Sequence, residues 1–193
     1  MKRVPARNNT SRAAFRPPKP EEVIKVTIVP ETWVIAPVAT EEQLKGYAEK
    51  GWISREDAEH LDRAWPRNSE GRPFIFKAWI AAVVKKGADL LGIPRERVRF
   101  TIVDENGMPV DHVVIQRPPL KYRRAILGPV RSTEYFEYLD STYEITFRAV
   151  AENPADFVRA LTAGGKLGFM SRSSQGYGRF RVKVELGGQA RAE

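Results

Sequence analysis

The chain has 193 residues, 42% of them hydrophobic, and 32 Lys and Arg against 24 Asp and Glu give it a formal net charge of +8. That length suits one folded domain with a real core. Cysteine is absent, which excludes a disulfide framework and thiolate metal sites, and the two histidines, His60 and His112, stand too far apart in sequence to make a metal motif.

No apolar run approaches the roughly 18 residues that span a bilayer. The N-terminus lacks the apolar core of a signal peptide, so the expected compartment is cytoplasmic and no membrane partner is expected. Positive charge is segregated: residues 1–20 hold six bases, 112–131 five and 163–184 five, with no acid in any of the three segments. The rest of the chain carries 16 bases and all 24 acids, a balance of −8. Such clustering is the electrostatic footprint of a polyanion binder; the plainer alternative is a solvated tail with ordinary surface charge.

Residues 1–22 read as a flexible basic arm, too poor in apolar side chains to order alone. The arm either solubilises the chain or orders on RNA or a partner. Residues 23–29 alternate Ile24, Val26 and Ile28 with Lys25 and Thr27, the period of a strand. Pro30 and Pro37 bracket a short extended piece at 33–35. Thr40 with Gln43, and Ser54 with Asp57, have the spacing of capping boxes. Two short helices are therefore expected at about 40–64, within an acidic surface insertion that reaches about residue 70.

Residues 76–91 form the clearest helix. Phe76, Trp79, Ile80, Val83, Val84, Leu90 and Leu91 share one face, Lys77, Lys85, Lys86 and Asp89 the other, and Gly92-Ile93-Pro94 ends it. Strands at 98–103 and 110–115 follow, turned at Asn106-Gly107. Residues 116–140, basic, proline-rich and aromatic, read as a long excursion between strands. A strand at 143–150 places Tyr143, Ile145, Phe147 and Ala149 on one face. Asn153 then caps a helix opened by Pro154, with Phe157, Val158 and Leu161 as its apolar stripe. After a glycine-rich loop, a last strand at 178–186 buries Phe180, Val182, Val184 and Leu186 and turns Arg179, Arg181 and Lys183 outward; 187–193 is a tail. Trp33, Trp52, Trp65 and Trp79 are expected in the core or at interfaces, Trp79 in the core.

Without its insertions the order is strand, helix, strand, strand, helix, strand, an α+β, ferredoxin-like (RRM-like) pattern. It is read as a single domain over 23–186, with the helical insertion and a thumb-like basic excursion at 116–140. No internal repeat suggests a second copy.

Residues 163–184 hold five glycines, three serines and five bases. Glycine permits close backbone approach, and exposed amides beside Lys and Arg suit a phosphate chain. Lys166, Ser171, Arg172, Ser173, Ser174, Gln175, Tyr177 and Arg179 are the candidate set for phosphates and 2′-hydroxyls, with Tyr177 as a stacking face; an ordinary glycine-rich hairpin is the alternative. The loop precedes a strand, whereas a dinucleotide fingerprint opens a helix, and it lacks a P-loop ending. Lys77, at a helix start, is a further phosphate candidate. His112 beside Asp111 is the candidate general base, and Asp104 and Asp111 the candidate acids for metal-assisted cleavage. None has a placeable partner set, so nothing specifies catalysis, and no cofactor or metal is expected.

The stretch Gly164-Gly-Lys-Leu-Gly168 through Gln175-Gly-Tyr-Gly-Arg-Phe180 resembles the C-terminal signature of the CRISPR-associated RAMP superfamily, where a glycine-rich segment after the second helix contacts guide RNA. Gly71-Arg-Pro-Phe-Ile-Phe-Lys-Ala-Trp-Ile80 resembles the approach to the first helix in backbone-type members, although Phe76-Lys77 stands where the family often has Gly-Ser. The resemblance covers roughly 23–186. It implies a guide-RNA-binding backbone subunit of a CRISPR effector complex, polymerising with copies of itself along single-stranded guide RNA. Target nucleic acid would be read through the guide, with other effector subunits as partners. It also implies that 116–140 matches the family's thumb, which kinks the guide and meets the neighbouring subunit, and so gives RNA-binding roles to Arg117, Lys121, Tyr122, Arg123, Arg124 and Arg131. Two alternatives stay open. One is an endoribonuclease of the same superfamily that processes precursor guide RNA, resting on His60 or His112. The other is a non-enzymatic assembly module whose basic segments bind an acidic partner.

Overall fold

The structure, a computed structural model, describes residues 16–126, 132–170 and 173–186. In chain order its elements are β1 (Ile24–Pro30), β2 (Val34–Ile35), α1 (Glu41–Glu49), α2 (Arg55–His60), β3 (Phe74–Phe76), α3 (Lys77–Leu91), β4 (Phe100–Val103), β5 (Pro109–Val110), β6 (His112–Val114), β7 (Leu120–Ile126), β8 (Ser132–Leu139), β9 (Ile145–Ala151), α4 (Pro154–Leu167) and β10 (Phe180–Leu186). The protein is α+β.

The principal sheet runs β10-β1-β9-β4-β5, with every neighbouring pair antiparallel. The alternation read from β1 sets its register: Val26 lies opposite Val184 on one side and Phe147 on the other. Ile24, Val26, Ile28, Ile102, Ile145, Phe147 and Ala149 share one core with Ile80, Val83, Val84 and Ala88 of α3 and Phe157, Ala160 and Leu161 of α4. Strand alternation turns one set of side chains to the helices and the other away.

The two helices touch backbone to backbone. A Cβ at Gly87 would lie 1.8 Å from the Ala160 carbonyl oxygen, and one at Gly164 would lie 2.2 Å from that of Val83. Gly164 and Gly165 therefore lie inside α4, which runs through Leu167, rather than in the loop read from the sequence. Their lack of a side chain serves the helix crossing and the seat of Phe180 against Gly165.

The stretch read as an excursion supplies β7 and β8, which with β2 make a second, three-stranded sheet in the order β2-β8-β7. β7 and β8 make a long antiparallel hairpin in which Tyr122 opposes Phe136 and Lys121 opposes Glu137. The expected acidic helices are present, and both capping boxes close. Leu44, Ile53, Leu61 and Ala64 give them a small core of their own, with Tyr135 of β8 packed against it. One buried ion pair fastens the segment after α2 to the hairpin. Arg67 Nη2 donates to Glu137 Oε1 at 2.5 Å, while the Trp65 amide donates to Glu137 Oε2 at 2.8 Å.

Several details depart from the sequence reading. The strand expected at 110–115 is two: β5 pairs with β4, and β6 turns away to pair with β3. Leu90 and Leu91 are 62% and 41% exposed, because they occupy the last turn of α3 beyond the buried Ala88. Leu186 is 58% exposed at the end of an edge strand, opposite the first residue of β1. Trp79 is half-buried, edge-on to the exposed ring of Phe76, rather than enclosed in the core. Among the described residues no helix is long and apolar enough to cross a membrane.

Candidate nucleic-acid interface

After α4 the chain turns sharply. Gly168, Gly176 and Gly178 have φ of 94°, 86° and 75°, values that L side chains rarely adopt. A Cβ at Gly178 would also meet the Phe169 carbonyl oxygen at 1.9 Å. The loop is tied to the turn after β1. The Gly178 amide donates to the Trp33 carbonyl at 2.8 Å, the Thr32 hydroxyl donates to the Gly176 carbonyl at 3.1 Å, and the Arg179 amide donates to the Thr32 hydroxyl at 2.9 Å.

Trp33 carries this tether to the hairpin. Its indole stacks on Tyr138 with centroids 4.4 Å apart and meets Tyr122 edge-on at 5.2 Å. Tyr122 is 43% exposed. Two of the three acid-free segments, distant in sequence, are thus brought together, and a tryptophan that the sequence reading assigned to core or interface is the joint between them. The available signal was its position: one aromatic between Pro30 and Pro37, shortly after β1.

The predicted residues divide by environment. In the loop, Ser174, Gln175 and Arg179 are exposed, and Ser173 and Tyr177 are half-buried beside them. Lys166 is exposed on the last turn of α4. Among the described residues no carboxylate pairs with Lys166, Arg179 or Arg181. Ser171, Arg172 and Arg131 lie outside the described residues, as does the arm up to residue 15.

The hairpin cations are engaged internally. Lys121 pairs with Asp57, Arg123 with Glu56 at 3.3 Å and Arg124 with Glu134 at 3.0 Å. Arg117 donates to the Thr142 carbonyl and lies 4.3 Å from the Tyr143 ring centroid. The first two acids belong to α2, so the acidic insertion neutralises one side of the hairpin. Burial opposes ionisation of Asp57, but hydrogen bonds from Lys121, Ser54 and Tyr135 outweigh it and hold its carboxyl at about 2. Burial and the neighbouring Asp57 carboxylate push the Tyr135 phenol up to about 12.

Lys77 lies elsewhere. Its Nζ sits 5.6 Å from the ring centroid of Phe100 on β4, and β1 and β9 separate β4 from the strand that follows the loop. The side of the sheet away from the helices carries Lys25, Arg148 and Lys183, of which Lys25 is bridged to Glu185 at 3.0 Å and Lys183 to Glu144 at 2.7 Å. His112 bonds Asp111 at 2.8 Å and lies 4.9 Å from the Phe74 ring, while His60 closes α2. Among the described residues no three His, Asp or Glu side chains gather into a set that could hold a metal ion.

No protein-family model matches the chain, and no curated protein matches it in sequence. Solved structures do match in fold. One is a chain of "Cryo-EM structure of the Type III-B Cmr-beta bound to cognate target RNA", with a TM-score of 0.54 at 14% identity. The match covers 84% of this chain and 59% of the other, so this chain spans less than two thirds of that neighbour's length. What these comparisons establish is a shared α+β fold with a chain of that RNA-bound assembly.

Proposed function

We propose that this protein is a guide-RNA-binding, backbone-type subunit of a CRISPR effector complex, built on a ferredoxin-like core of the RAMP kind. The observation that carries the reading is the junction at Trp33, where a glycine-turned, cation-bearing loop meets an aromatic basic hairpin. The fold similarity to a chain from an RNA-bound CRISPR assembly supports it. So does the sheet order, in which the four strands of the βαββαβ unit lie as fourth, first, third, second.

In this reading Lys166, Arg179, Arg181 and the loop amides hold phosphates, while the Tyr122 ring and the hairpin separate segments of guide. Sequence is read by the guide's own base pairing. Lys77 stands apart from this grip.

The test is filter binding of single-stranded RNA over a salt series. Three cations outside any ion pair among the described residues, Lys166 and Arg179 flanking the loop and Arg181 at the start of β10, predict a log–log slope of about −2, or roughly 100-fold weaker binding for a tenfold rise in salt. A slope near zero, or no binding at low salt, refutes the reading. Repeat-derived RNA of uniform length, recovered with the protein from cells, would place it in a CRISPR complex.

A further inference from the structure

Unpaired charge of opposite sign collects on different elements of this fold. A cavity of about 690 Å³ lies between α3 and the paired ends of β4 and β9. Its floor is aliphatic, made by Ala81, Val84, Val98, Val150 and Ala151, and its rim carries Lys77, Lys85, Arg95 and Arg99 with one acid, Glu152. Arg95 is held by Asp89 at 3.2 Å and Arg99 by Glu152 at 4.0 Å. Lys85 is exposed and pairs with no carboxylate among the described residues. β4 is only partly covered: β5 pairs with Ile102 and Val103, and among the described residues no strand pairs with that side of Phe100 and Thr101.

The α1–α2 pair has the complementary surface. Residues 40–62 hold seven acids and three bases. Glu41 is taken by Lys45, Asp57 by Lys121 and Glu56 by Arg123. Glu42, Glu49 and Glu59 remain exposed and without an ion pair among the described residues. Helices α1 and α2 already use their apolar side for their own small core, so these carboxylates face outward.

We propose that the groove between α3 and β4 receives the acidic face of α1–α2 from a second copy of this chain. The inference extends the reading that copies of the protein assemble side by side. Charge complementarity selects the occupant. The N-terminal arm of the same chain is basic and is repelled by the rim. RNA finds no free ring face in the groove, because Phe100 packs on Phe157 at 4.8 Å and is covered by the Lys77 ammonium. The contact is heterologous, groove on one copy and helices on the next, so it propagates into an open row rather than closing as a symmetric pair.

The test uses RNA-free protein, followed by sedimentation velocity at low salt and concentrations up to about 0.1 mM, where a weak contact is populated. The wild type is expected to form concentration-dependent oligomers that salt disperses. Lys85→Glu and Glu49→Lys are each expected to weaken association at least tenfold. The double variant, which swaps the charges across the contact, recovers it, and mixing the two single variants restores at least dimers, as only a two-surface contact allows. A wild type that stays monomeric overturns the proposal. So does a double variant no better than either single one, or a Lys85→Glu chain that loses RNA affinity while associating normally. RNA binding by the same wild-type preparation is scored separately: association without RNA binding sinks the functional reading and leaves this contact standing.

Discussion

The α3–α4 crossing makes the sharpest stability prediction. Replacing Gly87 by alanine adds one methyl at a site where the nearest atom, the Ala160 carbonyl oxygen, is 1.8 Å from the new Cβ position. Bringing that distance to 3.0 Å needs a shift of at least 1.2 Å between two backbones, neither of which can rotate away as a side chain could. A gap of that size forfeits a large part of the dispersion between the helices. Overpacking of this kind costs about 3 kcal/mol. Helix propensity works the other way, since alanine in a helix interior is favoured over glycine by about 1 kcal/mol. The net expectation is a loss of about 2 kcal/mol, or a fall in Tm of roughly 4–8 °C for a domain of this size. Gly46 supplies the control. It lies in α1 with nothing within 4 Å of a Cβ, so Gly46→Ala isolates the propensity gain and raises stability by about 0.5–1 kcal/mol. Urea and thermal melts of the two variants against wild type read both. A Gly87→Ala protein as stable as the wild type would mean that the helices are not in backbone contact, and the account of Gly87 and Gly164 would fail with it.

Asp57→Asn is expected to cost roughly 1–2 kcal/mol at pH 7, after allowance for solvent screening. Because the folded carboxyl titrates at about 2, below its ordinary value of 3.8, that stabilisation is complete above the unfolded pKa and drains away as pH falls from about 4 towards 2. Melts of variant and wild type should therefore converge in that window, and a constant difference would refute the assignment. Arg67→Met leaves Glu137 buried without its counter-ion and should cost about 3–5 kcal/mol at pH 7. Burial already pushes that carboxyl up, so the deficit should shrink in denaturant melts at lower pH, where the carboxyl takes up a proton. Glu56→Gln frees Arg123 from its 3.3 Å partner. If the hairpin contacts RNA, affinity rises severalfold and the salt dependence steepens by up to one counter-ion; unchanged binding would exclude Arg123 from the interface.

What could be read from the chain was set by periodicity and by local hydrogen bonding. The β1 alternation and the two capping boxes involve residues no more than one helical turn or one strand apart, and each stands as expected; the α3 stripe holds at Ile80, Val83 and Val84 but not at Phe76, Leu90 and Leu91, which are exposed. The glycines of α4 misled because glycine has two unlike uses, turning a loop and letting two helices touch, and only the facing Val83 and Ala160 backbones distinguish them. The hairpin cations were legible as charge, but their acidic partners Glu56 and Asp57 lie more than sixty residues away in sequence. The position of Trp33 between two prolines was legible, but not its role, because its hydrogen-bond partner is Gly178 and its ring partners are Tyr122 and Tyr138, all distant in sequence.

That indole gives the protein a mechanical property. The Trp33 backbone carbonyl is fastened to the chain just before the final strand, its ring is lodged among the tyrosines of a separate sheet, and the two residues after it pair with β8, so a pull on either one reaches the other through the short segment from Thr32 to Ile35. A ligand that repositions the hairpin must also strain the Gly176–Arg179 backbone.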